Sequence, residues 1–124
     1  MNIKITTVKA FTLIELVVVI VILGILSAVI YPQFQNMVRS ANMGILNGAI
    51  AAGQSAAAIG YAQSSGIWPT PSAICGLIMH DGAFNCVDGV ITISGAPDPT
   101  QCSATYVAGT TTTVSTFTSV TTGC

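Results

Sequence analysis

Residues 11–31, FTLIELVVVIVILGILSAVIY, carry one charge, Glu15, and end directly against Pro32. As a helix rising about 1.5 Å per residue, this run is about 31 Å long, the thickness of a bilayer's hydrocarbon layer. A carboxylate held in such surroundings costs about 2.5–3.5 kcal/mol by insertion scales, so something has to answer it. In the plainest case Glu15 lies at the membrane interface and faces headgroups.

The low charge is not confined to this run. Only 6% of all residues are charged, and beyond Pro32 the charges are Arg39, Asp81, Asp88 and Asp98. Ordinary soluble domains carry roughly 25%. Such a chain is expected to be poorly soluble as a free monomer and suits a protein packed against copies of itself; the plain alternative, compatible with it, is a secreted domain solubilised by Ser, Thr, Asn and Gln. Nucleic acid is not an expected partner, because the basic residues are Lys4, Lys9 and Arg39 and form no stripe for phosphates.

Cys75, Cys86, Cys102 and Cys124 all follow the apolar run. An even count in a small extracytoplasmic domain implies two disulfides with three possible connectivities; we expect neighbours to pair, Cys75 with Cys86 and Cys102 with Cys124. Closing the second loop would stabilise the fold by roughly 3 kcal/mol on the chain-entropy account. A metal site would have to use Cys75, His80 and Cys86, whose spacings are not those of zinc ligands.

Residues 1–10, MNIKITTVKA, hold Lys4 and Lys9 and no acid. They fit three roles: the start of a secretory signal cut near Ser27-Ala28, the cytoplasmic end of a plain anchor, or a leader cut just before Phe11. The stretch KAFTLIELVVVIVILGILSAVIYPQF resembles the N-terminus of a type IV pilin, the subunit of bacterial surface filaments. The matching residues are the basic leader, Phe11, Glu15, the apolar run, and Gly24 and Pro32 where type IVa pilins place a Gly and a Pro. The continuation to AAGQSAAAIGYA resembles mannose-sensitive haemagglutinin-type pilins.

This resemblance implies the third role. Prepilin peptidase would cut between Ala10 and Phe11 and methylate the Phe11 amine. Pilin leaders usually end in Gly, and Ala10 is the smallest replacement for it. The resemblance also implies that Glu15 pairs with the Phe11 amine of a neighbouring subunit. Such a pair sets register more than it adds stability, since desolvating both charges is costly. Gly24, Ser27 and Pro32 would form a weak segment that loses helix on assembly; Pro32 would also kink any helix here.

The helical pattern continues through residues 33–65, with Phe34, Val38, Ala41, Ile45, Ala52 and Ile59 near one face. Gly44, Gly48, Ala52 and Ala56 step by four and would let a second surface approach closely, chiefly a sheet of the same chain, otherwise a neighbour's helix. Four glycines, 44, 48, 53 and 60, weaken this helix, so packing must hold it. Gly66 is the expected cap, and Pro69 and Pro71 are expected to prevent the helix from resuming.

Residues 67–85 are expected to form a connecting loop with a short turn or strand, anchored by Trp68. Strands are expected at 89–94, 102–109 and about 112–120, with a turn at 95–100. Val114, Phe117 and Val120 cannot share one face of a regular strand, which predicts a bulge. The Thr-rich stretch has a rival reading as a glycosylated or disordered tail, against which Cys124 argues. The expected fold class is α+β: a long N-terminal α-helix whose C-terminal half packs on a small antiparallel sheet. The resemblance identifies this layout as the pilin fold, and it places the region bounded by Cys102 and Cys124 at the filament surface.

The expected division is a leader at 1–10, an apolar helix at 11–32, its continuation at 33–65 and a head at 66–124. Neither an active site nor a cofactor is expected: His80-Asp81 lacks a nucleophile motif, and the surroundings of Asp81, Asp88 and Asp98 are too thinly acidic for a strong calcium loop. What the resemblance implies is a structural protein, held in the inner membrane as a precursor and then polymerised as a homo-oligomeric surface filament. Its partners would be prepilin peptidase and the inner-membrane pilus assembly machinery. A minor pilin, a type II secretion pseudopilin, or a membrane-anchored binding module is the alternative.

Overall fold

The structure is a computed structural model that describes residues 10–78 and 82–124; the leader up to Lys9, and with it Lys4, and His80 and Asp81 lie outside the described residues. Its elements are α1 (Leu13–Gln63), α2 (Pro71–Leu77), β1 (Phe84–Val87), β2 (Val90–Ile93), β3 (Ser103–Val107) and β4 (Thr116–Val120). The chain forms two compact units, Met1–Asn36 and Met37–Cys124. The long helix and the antiparallel sheet together make the α+β pilin layout.

In the first unit, α1 runs unbroken through Gly24 and Pro32. Pro32 has no N–H to give the Ala28 carbonyl, yet one lost bond does not end the helix. One turn earlier, the Ser27 hydroxyl donates to the Leu23 carbonyl at 2.7 Å, so that polar group is satisfied within the helix.

In the second unit, the four strands form an antiparallel meander in the order β1-β2-β3-β4. The sheet and α2 enclose a core in which Leu46, Ile74, Ile91, Ile93, Cys102 and Ala104 are fully buried. On α1 the buried stripe is Asn42, Leu46, Ala49, Gly53, Ala57 and Gly60. Its spacings of three and four average the 3.6-residue turn, which keeps one face toward the sheet. Asn42 is the polar member; its Nδ2 donates to the Cys124 carbonyl at 3.1 Å and the Gly95 carbonyl at 3.4 Å.

Several expectations are corrected here. Of the line Gly44, Gly48, Ala52, Ala56, only half-buried Ala56 packs against the core. A strict four-residue step turns by about 40° each time and walks off the packed face. A Cβ at Gly44 or Gly48 would meet nothing within 4 Å. Gly48, Ala52 and Ala56 instead line an open apolar groove of about 640 Å³ whose other wall includes Leu77, Ile78 and Phe84. The close approach occurs at Gly53, where a Cβ would collide with the Phe117 ring.

The end of α1 also differs. The Gly66 N–H donates to the Tyr61 carbonyl at 3.0 Å, the longer bond of a Schellman end. This geometry puts Ser65 (φ 56°) in the left-handed capping position, with Gly66 (φ 91°) after it. Pro71 does not block a helix but starts one. Thr70 is the N-cap of α2, its hydroxyl accepting from the Ala73 N–H at 3.3 Å, and Pro71 takes the first position, where a missing N–H costs nothing.

A fourth strand, β1, joins β2 through Asp88-Gly89, both with positive φ (49° and 78°), as a two-residue type I′ hairpin requires. β4 pairs with β3 over five consecutive residues without a bulge. Val114 lies before the strand, so it never shares a face with Phe117.

The Thr-rich segment is an ordered turn, not a disordered tail. The Thr110 N–H donates to the carbonyl and the hydroxyl of Thr113, both at 3.0 Å, and the two hydroxyls lie 2.8 Å apart. Trp68 docks this turn onto the end of α1: its Nε1 donates to the Thr110 carbonyl at 3.2 Å while its ring sits 4.4 Å from that of Tyr61.

Overpacking the Gly53–Phe117 contact tests this arrangement. Gly53→Leu is expected to destabilise the second unit by about 1–3 kcal/mol, and adding Phe117→Ala to recover part of that loss. Urea unfolding of the detergent-held chain, followed by Trp68 fluorescence, measures both.

Candidate functional site

The first unit carries the residues singled out for processing and assembly. Ala10, Phe11 and Thr12 precede the helix, and all three are exposed, Phe11 at 90%. The Ala10–Phe11 bond therefore lies in open, non-helical backbone at the mouth of α1. Beyond it the large apolar side chains from Leu13 to Ile30 are all exposed. The helix is long and apolar enough to cross a membrane, and among the described residues nothing covers its most apolar window.

Glu15 occupies the first turn of this helix. Its Oε2 accepts from both the Thr12 N–H and the Thr12 hydroxyl at 2.8 Å, and the Glu15 N–H donates back to Thr12 Oγ1 at 3.3 Å. This is a reciprocal capping box, and the helix dipole adds favourable positive potential at the same end. Glu15 is therefore satisfied within one chain before any partner arrives. The pattern Thr-x-x-Glu ahead of an apolar run carries this signal, but sequence reasoning treated Glu15 as a charge lacking a local partner. Gly24 and Pro32 lie within continuous helix.

The second unit brings the cysteines together in two pairs. Cys75 is joined to Cys86 and Cys102 to Cys124, with Cα separations of 5.4 and 4.7 Å. The first bond ties α2 to β1, and the second ties the start of β3 to the residues after β4. All four sulfurs are thus committed, so Cys75 and Cys86 offer no thiolate to a metal. Among the described residues no three of His, Cys, Asp and Glu gather into a potential metal site.

The two described aspartates of the head serve turns. Asp88 is the first residue of the β1–β2 hairpin turn. Asp98 Oδ1 accepts from the Thr100 hydroxyl at 2.6 Å and from the Thr100 N–H at 3.0 Å. The Thr100 hydroxyl holds the Asp98 carboxyl below the ordinary aspartate range against the opposing effect of burial, and the backbone N–H groups of Thr100 and Gln101 add to the lowering.

Residues 6–31 match the family described as the prokaryotic N-terminal methylation motif. The chain is 41% identical over 69 residues to the fimbrial protein EcpC of Eikenella corrodens, covering 56% of this chain and 44% of that protein. It is 48% identical over 59 residues to the type IV narrow pilus major component PilA5 of Thermus thermophilus, covering 48% and 51%. Over 71 residues it is 42% identical to the type IV major pilin protein PilE of Neisseria gonorrhoeae, covering 56% and 41%. The chain thus spans about half the length, or less, of the curated relatives it matches. No solved structure matches it.

Two outcomes follow from this geometry. Thr12→Ala is expected to cost the start of α1 about 1 kcal/mol, seen as faster amide exchange at residues 13–16 of the chain in detergent. For Asp98 the folded carboxyl holds its proton less tightly than the unfolded one. Its contribution to stability is present above the unfolded pKa and fades as pH falls through the lowered folded value. Thr100→Val is expected to raise the Asp98 midpoint toward that of an ordinary aspartate in an NMR titration.

Proposed function

We propose that this chain, which resembles type IV pilins in its N-terminal motif and its α+β layout, is the structural subunit of a surface filament. The precursor sits in the inner membrane with residues 13–30 in the bilayer. Prepilin peptidase cuts between Ala10 and Phe11 and methylates the new amine. The inner-membrane assembly machinery then moves the subunit into a filament, where the apolar helices of other copies replace lipid.

The observation that carries this reading is the pairing of an open Ala10–Phe11 junction with an uncovered apolar helix that begins at a capped Glu15. An apolar helix segment that no described residue covers is suited to exchange one apolar environment for another. Cleavage creates a positive amine four residues before a carboxylate. In the filament that amine, from a neighbouring copy, competes with Thr12 for Glu15. The capping box keeps the carboxylate satisfied beforehand, and the intermolecular pair then specifies register. Gly24 and Pro32 flank the segment that stretches on assembly. A structural role accounts for these features without catalysis. Two relatives described as major pilus components support a main rather than a minor subunit.

Surface filaments sheared from the producing cell and analysed by intact-mass spectrometry test this. The expected main component begins at N-methylated Phe11 and contains both disulfides. An intact Met1, or cleavage near Ala28, overturns the reading in favour of an anchored or secreted binding module. Separately, Glu15→Ala is expected to abolish or sharply reduce filament yield at unchanged precursor level; normal filaments from that variant would remove the register role.

A further inference from the structure

The sheet has two edges, and they are treated differently. At one edge α2 lies beside β1, joined to it by the Cys75–Cys86 bond, and the Gly89 N–H donates to Cys75 Sγ at 3.2 Å. At the other edge no described residue covers β4. Thr116, Thr118, Ser119 and Val120 are exposed, and Phe117 is half-buried against Gly53. Exposed edges are usually blunted by charge, proline or a bulge. Residues 108–124 contain no charged residue and no proline, and the β3–β4 register is continuous.

The ladder identifies which backbone groups are free. The Tyr106 N–H donates to the Gly89 carbonyl at 2.8 Å, on the β2 side of β3. Successive residues of a strand bond to opposite sides, so Thr105 and Val107 bond toward β4. Their partners there are Thr118 and Thr116. The N–H and C=O groups of Phe117 and Ser119 consequently point outward from the sheet.

We propose that β4 pairs antiparallel with β4 of a second copy, extending the sheet across a two-fold axis at Thr118. The occupant follows from self-complementarity. With Thr118 on the axis, Phe117 of each strand lies opposite Ser119 of the other, and both outward donors and both outward acceptors of each strand are satisfied. Thr118 meets its own copy, and Thr116 meets Val120. These are exposed β-branched side chains of the kind that stabilise cross-strand pairs. Each edge is uncharged, so two copies approach without the repulsion that keeps most edges apart.

A polar helical filament relates its neighbours by a screw operation, whereas this pairing is isologous. It therefore joins chains of two different filaments, side by side. That last step rests on the filament reading above; the pairing of chains does not.

The test uses the full chain in mild detergent. The native cysteines are all paired, so Thr118→Cys introduces the one free thiol. On the axis it forms a non-hydrogen-bonded pair with Cα atoms about 4.5 Å apart, within disulfide reach. Gentle oxidation is expected to yield a covalent dimer through Cys-to-Cys linkage at 118, with the native disulfides intact by peptide mapping. Thr105→Cys, exposed on the neighbouring inner strand, is expected to remain largely monomeric. Thr118→Lys, which sets two like charges on the axis, is expected to leave isolated filaments single where the unmodified chain gives lateral bundles. Equal crosslinking at 105 and 118, no dimer at 118, or predominant linkage of position 118 in filaments to a different protein overturns the proposal. Absence of filaments would count against the filament reading alone, because the detergent dimer is read without them.

Discussion

Apolar surface without a partner governs this molecule. From Leu13 to Ile30 the large apolar side chains of α1 are all exposed, with no cover among the described residues. Lipid or other protein must therefore supply what a globular core supplies elsewhere. Because either can do so, the same helix suits a precursor in a bilayer and a subunit in a filament. The single carboxylate in that surface then matters more than its charge alone suggests. Thr12 satisfies it locally, so Glu15 has hydrogen-bond partners at the helix start within its own chain.

The second unit solves the opposite problem. Its portion of α1 is rich in glycine and alanine and would be marginal alone. Packing makes it stable, because Gly53 and Gly60 let Phe117 and Pro69 sit directly on the helix backbone. The two disulfides then fasten the pieces that the sheet leaves at its margins, α2 in one case and the residues after β4 in the other. Asn42 draws the β2–β3 turn and the Cys124 carbonyl onto the helix with one amide. Few charges are needed in such a design, and few are present. The consequence is a head whose surface is rich in hydroxyls and has one open backbone edge, at β4.

Much of this was legible in the residues. The apolar run announced its own helix, and β-branched alternation located β2 and β3. Other signals were present but outweighed by rival rules. Asp88-Gly89 is a hairpin dipeptide, yet the short FNCV before it lacked the length to stand out as a strand. Thr70-Pro71 has the form of a helix start, but two nearby prolines suggested a breaker. Thr12-x-x-Glu15 is a capping pattern that was overshadowed by the question of an intermolecular partner. The small-residue line from Gly44 to Ala56 pointed to close approach, yet only its last member, Ala56, packs against the core. Spacing by four describes neighbours along a helix, whereas the buried face follows the 3.6-residue turn.

By itself the sequence determined the elements whose cause is local or purely compositional: the uncovered helix, the extended strands, and an even set of cysteines in a domain otherwise short of stabilising charge. Tertiary structure decided which helix face meets the sheet, that Ser65 takes the left-handed cap, that Val114 drops out of β4, and that one edge is covered while the other stays open. Those outcomes depend on which surfaces exclude water together. Such contacts join residues tens of positions apart, as Gly53 and Phe117 do, and no periodicity within a single segment encodes them.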